Sequence, residues 1–448
     1  MRQRAATGFN ETQSEMVLER FTSDAPQAIR LRASASPRWV FLSPSLALVS
    51  HGLADYTPRA VTRLIVFADD WGRHQSSCQH LTRVLLERYP VTWVNTIGMR
   101  RPRLSRGDAG KIAQRLRHWT GLRPPANGGA LPRNLTVLTP LMWPGFRHAW
   151  ERALNRALIA GALQRALADR RPPNAERRVL LTTSPIAAAL LDRLRVDAVV
   201  YYCVDDFAAW PGLDGGILHD LERRLVQRAD RIVAASSVLR DGLAASGREV
   251  SLLTHGVDVA HWRRSDGSPH AALAWMQTLR RPIAVFWGLI DRRLDTGWLA
   301  ALQDPRLGPG GSLVLAGPLQ APDRRIAALD GVVMPGGLAY DVLPQLAEHA
   351  DVLIMPYADS PLTRAMQPLK LMEYLATRKP VVTSDLPATR AWADACDVAD
   401  SAETFARTAA RRAREGAPDA QLRARQRVVH ESWERKAREL EALLDGCL

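Results

Sequence analysis

The chain has 448 residues, of which 46% are hydrophobic and 24% charged, and a formal net charge of +14. That length and balance describe a globular protein of two or three domains with a large core, and exclude a disordered chain, a coiled coil and a small disulfide-stapled scaffold. No window reaches the roughly 18 uninterrupted apolar residues of a membrane-spanning helix. The best N-terminal candidate, 39–49, is broken by Ser43, Pro44 and Ser45 and lies too far from Met1 for an ordinary signal peptide. The four cysteines (Cys78, Cys203, Cys396, Cys447) are scattered without a Cys-x-x-Cys pair. This fits a reduced, cytoplasmic protein and argues against a cysteine zinc site. The lysines are Lys111, Lys370, Lys379 and Lys436, so the positive charge is nearly all arginine and part of it reflects compositional bias. Its functional reading is an anionic partner. A membrane surface fits better than nucleic acid, because the basic residues do not gather in one run.

Along the chain, residues 1–58 mix Ala, Ser, Arg and Pro without pattern and read as an extension outside the domains, of a disordered type. From residue 62 a rhythm begins of short apolar runs alternating with helix-period segments. The runs 63–67, 91–94, 135–138, 179–182, 198–202 and 231–234 are predicted strands; 77–88, 150–168 and 216–228 are predicted helices. The rhythm restarts after 255–258. Strands are predicted at 283–286, 313–316, 332–333, 352–355 and 381–383, and helices at 294–302, 340–347, 368–377 and 402–415. The stretch 263–279 reads as a linker followed by a helix, and 421–444 as one or two amphipathic helices. Near-continuous apolar strands separated by helices indicate parallel sheets covered on both faces. The domain reading is therefore 59–258, 259–425 and a C-terminal helix at 426–448 that crosses back to the first domain. Ligands of such sheets bind beyond the carboxyl ends of the strands, so two of them facing each other form a cleft.

Several segments carry chemistry at those ends. In 367–382, Pro368 suits the first turn of a helix. Lys370 then lies in that turn, beside Leu369, and Glu373 follows on the same face. A lysine at a helix N-terminus is an anion site, and a carboxylate one turn deeper can take two vicinal hydroxyls. Diphosphate followed by ribose presents those groups in that order, whereas a solvated Lys–Glu pair is the plain alternative. The strand 283–287 ends at Gly288 and leads to Arg292 and Arg293, and 313–316 ends at Gly317. Glycine permits close backbone approach, and arginine forks onto phosphate oxygens. Neither Gly-x-Gly-x-x-Gly nor a Walker A sequence is present, which argues against a conventional NAD or FAD site. Asp205 and Asp206 follow the strand 198–202, where a general base or sugar-hydroxyl acceptor would sit; a helix cap is the alternative. The loop after the first strand offers Asp70, Arg73, His74 and Ser76 to the same cleft, with Ser76 also a potential cap. No His, Asp or Glu cluster supports a metal cage.

The segments YYCVDDF at 201–207, LERRLVQRADRIVAAS at 221–236, LTHGVD at 253–258, GLID at 288–291, HADVLIMPY at 349–357 and PLKLMEYLA at 368–376 resemble GT-B-fold glycosyltransferases. They are closest to the family 4 group and its bacterial exopolysaccharide branch. RHQSSCQH at 73–80 and WVNT at 93–96 extend the resemblance toward residue 65. The resemblance implies an α/β fold of two Rossmann-like parallel-sheet domains facing across a cleft. The second domain would hold a nucleotide diphosphate sugar, with Glu373 on the ribose, and Lys370 and Arg292 or Arg293 toward the diphosphate. The first domain would hold the acceptor. Asp205 or Asp206 would fall near the family's cleft His or Asp. Family members usually carry a second glutamate eight residues before the first; here that position is Ala365.

The expected activity is transfer of a sugar to a hydroxyl of a saccharide or lipid-linked acceptor in cell-envelope or exopolysaccharide synthesis, without metal or separate cofactor. Leaving-group charge would be offset by Lys370, an arginine and a helix N-terminus. The expected setting is the cytoplasm, with docking on the inner membrane face. The rival expectations are a catalytically inactive scaffold of a polysaccharide complex and a nucleotide-sugar epimerase.

Overall fold

The computed structural model describes residues 61–72, 75–96, 131–143, 145–168, 176–263 and 270–447. Residues 1–58, Arg73 and His74 lie outside them. The first sheet holds β1 (Val61–Ala68), β2 (Val91–Asn95), β3 (Leu135–Leu138), β4 (Glu176–Thr182), β5 (Ala198–Cys203), β6 (Arg231–Ala234) and β7 (Ser251–Leu252). Every pairing is parallel, in the order β3-β2-β1-β4-β5-β6-β7. The second sheet holds β8 (Ile283–Trp287), β9 (Ser312–Ala316), β10 (Val332–Gly336), β11 (Val352–Met355), β12 (Val381–Ser384) and β13 (Asp397–Ala399), parallel in the order β10-β9-β8-β11-β12-β13.

The central strands are buried along almost their whole length, β5 and β8 at every residue, because helices cover both faces. Among the described residues, helices on the first sheet include α1 (Ser77–Leu85), α2 (Ala149–Ala168), α3 (Gly215–Arg228) and α4 (Ser237–Ala244). Ser76, Asp214 and Ser236 cap α1, α3 and α4 by accepting backbone N–H groups of the first turn. On the second sheet are α5 (Thr296–Gln303), α6 (Leu343–His349), α7 (Pro361–Ala365), α8 (Leu369–Ala376) and α9 (Ala402–Glu415), and near the C-terminus α10 (Trp433–Asp445). The two-residue β7, the three-residue β13 and the short α4 and α7 are additions to the sequence expectation. The two strands and α7 are too short to set up a readable period.

The chain crosses between the two halves twice. Val257 and Ser432 meet in a parallel bridge, and Val257 N donates to Glu431 O at 2.8 Å. Gly256 has no room for a side chain there, since a Cβ would sit 2.8 Å from the Trp433 ring. After this crossing α10 packs on the face of the first sheet that α1 covers: Trp433, Ala437, Leu440 and Leu444 share a core with Leu64, Leu81 and Trp93. Tyr89 Oη donates to Glu441 at 2.8 Å, and Lys436 Nζ pairs with Glu431 at 2.7 Å. The segment before α10 stays with the second domain, where the buried Arg425 donates to the carbonyls of Ala395 and Lys379.

Candidate functional site at the facing strand ends

In the second domain the site begins with two glycines. Gly288 follows β8 at φ +129° and Gly317 follows β9 at φ +158°. A Cβ on Gly317 would lie 1.8 Å from Gly288 O, so the turns touch through backbone alone. The stem of Lys370 crosses Gly288, where a Cβ would meet Lys370 Cε at 2.7 Å. Pro368 is the cap residue of α8 rather than a first-turn residue, and Lys370 and Glu373 lie within the helix. Lys370 Nζ donates to Tyr357 Oη at 2.5 Å and lies 5.2 Å from the centre of the Phe286 ring. Glu373 Oε2 accepts the Trp287 indole N–H at 2.7 Å. Burial raises the Glu373 carboxyl above its usual range, opposed by that hydrogen bond and by Lys370.

Arg293 is forked onto Asp291, with Nε 3.0 and 3.1 Å from its two oxygens. Its guanidinium stands 5.0 Å from the Trp210 ring and 5.9 Å from Tyr357. Burial works against its charge, but Tyr357, Asp291 and Asp205 outweigh it and hold the group more firmly protonated. Arg292 is exposed and makes no ion pair among the described residues.

Trp210 and Asp205 belong to the first domain, so the two strand-end edges meet here. Burial pushes the Asp205 carboxyl up to about 6, opposed first by Arg293 across the gap. Asp206 sits beside it but has a different task. Its Oδ1 accepts the N–H groups of Ala208 and Ala209 at 3.1 and 3.2 Å, capping a 3-10 turn. The sequence pair thus divides: Asp205 faces the opposite domain, while Asp206 holds the loop.

The loop after β1 behaves similarly. Ser76 caps α1 and donates to Asp69 Oδ1 at 3.0 Å, and Gln79 Nε2 donates to Asp69 Oδ2 at 2.7 Å. Burial raises the Asp69 carboxyl. Asp70 lies next to this knot, its backbone carbonyl accepting from Gln79 at 3.1 Å. Ser236 Oγ donates to Ala365 O at 2.6 Å, and the Ala365 side chain is buried among first-domain residues. That position presents no carboxylate to the gap.

Four contact residues stand in or beside the motif segments but were given no site role by sequence reasoning: Trp287, Asp291, Tyr357 and Trp210. Each lies at or just beyond a strand's carboxyl end, which is the signal that could have found them.

Comparison with known proteins follows the same lines. Residues 282–413 match the family described as Glycosyl transferases group 1. TuaH of Bacillus subtilis, described as a putative teichuronic acid biosynthesis glycosyltransferase, is 31% identical over 235 residues, 48% of this chain and 57% of that protein. The chain therefore spans little more than half the length of this curated relative. Anabaena HepE, solved with UDP and glucose, superposes with a TM-score of 0.60 at 12% identity, covering 86% of this chain and 100% of that one. A trehalose-6-phosphate structure from E. coli bound with UDP-2-fluoro glucose gives 0.56 at 13%, covering 85% and 98%. The family match thus falls on the second domain, and the two parallel-sheet domains have the GT-B fold.

Proposed function

We propose that this protein transfers a sugar from a nucleotide diphosphate to a hydroxyl of a saccharide or lipid-linked acceptor in cell-envelope polysaccharide synthesis, reached at an anionic membrane surface. The observation that carries the reading is the meeting of Arg293, from the second domain, with Trp210 and Asp205 of the first. Lys370, Arg293 and the exposed Arg292 offset the charge that gathers on the leaving diphosphate, and the N-terminus of α8 adds its dipole. Glu373, oriented by Trp287, takes the ribose hydroxyls. The glycines after β8 and β9 let the diphosphate approach the backbone.

Asp205 is the carboxylate at the reacting centre. If the product is inverted it removes the acceptor proton, for which a value near 6 is suited. If the anomeric configuration is retained it positions the donor sugar. The UDP and UDP-glucose in the titles of HepE structures support a nucleotide sugar as donor. The relative TuaH supports an envelope polysaccharide as the product.

Ala365 supports a second reading, a catalytically silent scaffold, because the sugar-side carboxylate usual in family 4 is missing. A screen of nucleotide sugars that reads release of free nucleoside diphosphate, run with Glu373→Ala and Asp205→Asn, tests the first reading. Calorimetric titration with UDP and GDP separates the second: no binding of either leaves the scaffold.

A further inference from the structure

The helix α2 carries apolar side chains on its outward as well as its inward face, although it lies at the surface. Its inward residues Asn155, Ile159, Leu163 and Leu167 are buried, and the last three pack on the first sheet. Its outward residues Trp150, Ala153, Leu154 and Ala157 are exposed at spacings of three and four, which makes one continuous stripe. The preceding loop adds Leu141 and Trp143. Trp150 is 54% exposed, Leu141 45%, Trp143 44% and Leu154 39%. Four of the ten most exposed large apolar side chains among the described residues thus fall within positions 141–154. Such clustering marks an interaction site, whereas single exposed residues do not.

The loop is held in place by buried polar groups. Asn155 Oδ1 accepts Trp143 N–H at 2.6 Å, and its Nδ2 donates to the carbonyls of Trp143 and Gly145. Glu151 accepts His148 N–H at 2.8 Å and the Trp143 indole N–H at 3.3 Å. Buried groups on the helix therefore fix the loop with both indoles turned outward, their centroids 5.3 Å apart.

The charge carried by this segment is almost all of one sign, with Arg156 paired to Asp192 of the neighbouring turn. Residues 141–168 contain Arg147, Arg152, Arg156 and Arg165, and the single acid is the buried Glu151. Arg147 and Arg165, near opposite ends of α2, are exposed and make no ion pair among the described residues. Tryptophans beside an aliphatic stripe, flanked by free arginines, match the headgroup–acyl boundary of an anionic bilayer. A stacked sugar ring would use the indoles but not the leucine and alanines that continue along the helix. A symmetric second copy would bring the arginines against each other.

We propose that the outward face of α2, with Leu141 and Trp143, is the surface by which this protein docks on an anionic lipid bilayer. The inference rests on the membrane-facing part of the function proposed above. The loop that carries Trp143 follows the carboxyl end of β3, the same sheet edge that carries Asp205, so docking brings the cleft edge to the lipid surface.

The full chain is sedimented with phosphatidylcholine vesicles, pure or containing about 30% phosphatidylglycerol. Wild type is expected to bind the mixed vesicles alone. Partitioning falls at least tenfold in Trp143→Ala/Trp150→Ala and in Leu154→Glu, and about fivefold in Arg147→Glu. Melting temperature and UDP affinity, measured in every variant, stay at the wild-type value and keep failure of docking distinct from failure of the fold or of the donor site. Vesicle binding without UDP binding upholds docking and removes the transferase reading. Equal binding to both vesicles, or unchanged binding by the variants, overturns the proposal. So does loss of soluble oligosaccharide binding with vesicle binding intact, or a dimer in sedimentation velocity that Leu154→Glu dissociates.

Discussion

The two strand-end edges that face each other are built differently. On the second domain, Lys370 is held by Tyr357, Glu373 by Trp287, and Arg293 by Asp291 and Met366. Each is thereby oriented, and further contacts with a ligand remain open to it. On the first domain, most polar groups near the strand ends serve the fold itself. Asp206 and Ser76 cap helical turns, and Asp69 is tied to Ser76 and Gln79. Asp205 is the exception. Under the function proposed above, the donor-side domain gains from preorganised polar side chains, whereas the acceptor-side loops must first be shaped.

This asymmetry predicts graded effects. The largest belongs to Lys370→Ala: steady-state release of nucleoside diphosphate should fall by about 10²–10³ in kcat/KM, with the melting temperature little changed. Asp205→Asn should follow at about 10²-fold or more, and should separate from its neighbour. Asp206→Ala should cost about 1 kcal/mol in urea unfolding while keeping kcat/KM within a few fold. Equal losses of activity in the two variants would end the division of roles drawn between them. Glu373→Ala should weaken UDP binding by about tenfold or more in calorimetry, the scale of hydrogen bonds to a charged group.

The pH dependence of Asp205 runs in two opposite directions. Its folded value of about 6 lies above the ordinary value of 3.8. Between those values the folded state keeps a proton that the unfolded chain has released, so stability from this group falls as pH rises from about 4 to 6. Activity that needs the carboxylate should instead rise across about pH 6 and level off above it. Asp205→Asn should flatten the acid limb of the rate profile and remove its share of the stability slope, on the order of 2–3 kcal/mol. The smallest effect is Ser76→Ala, about 1 kcal/mol in thermal unfolding with donor affinity unchanged.

Much of the fold was legible because its signals are local. Apolar runs of four to eight residues mark strands buried on both faces, and most of the strands expected were visible in that way. The places where strands end in Gly288, Gly317 and Asp205 were equally plain. The division between Asp205 and Asp206 was not, because both carboxylates have the same chemistry and the same position in the motif. Which one caps and which one faces Arg293 depends on the turn at 207–209. Trp287 against Glu373, 86 positions apart, could not be read either, since periodicity along the chain says nothing about which strand end a later helix packs against.

The sequence by itself determined the alternation of strands and helices, the two tandem sheets, and the candidate residues at their carboxyl ends, because periodicity and turn chemistry act over a few neighbouring positions. The tertiary structure alone decided which of those residues meet. Arg293 lies over Trp210, and Ala365 is turned into the first domain. These contacts join segments tens to hundreds of positions apart, and packing across the gap, not local propensity, sets them.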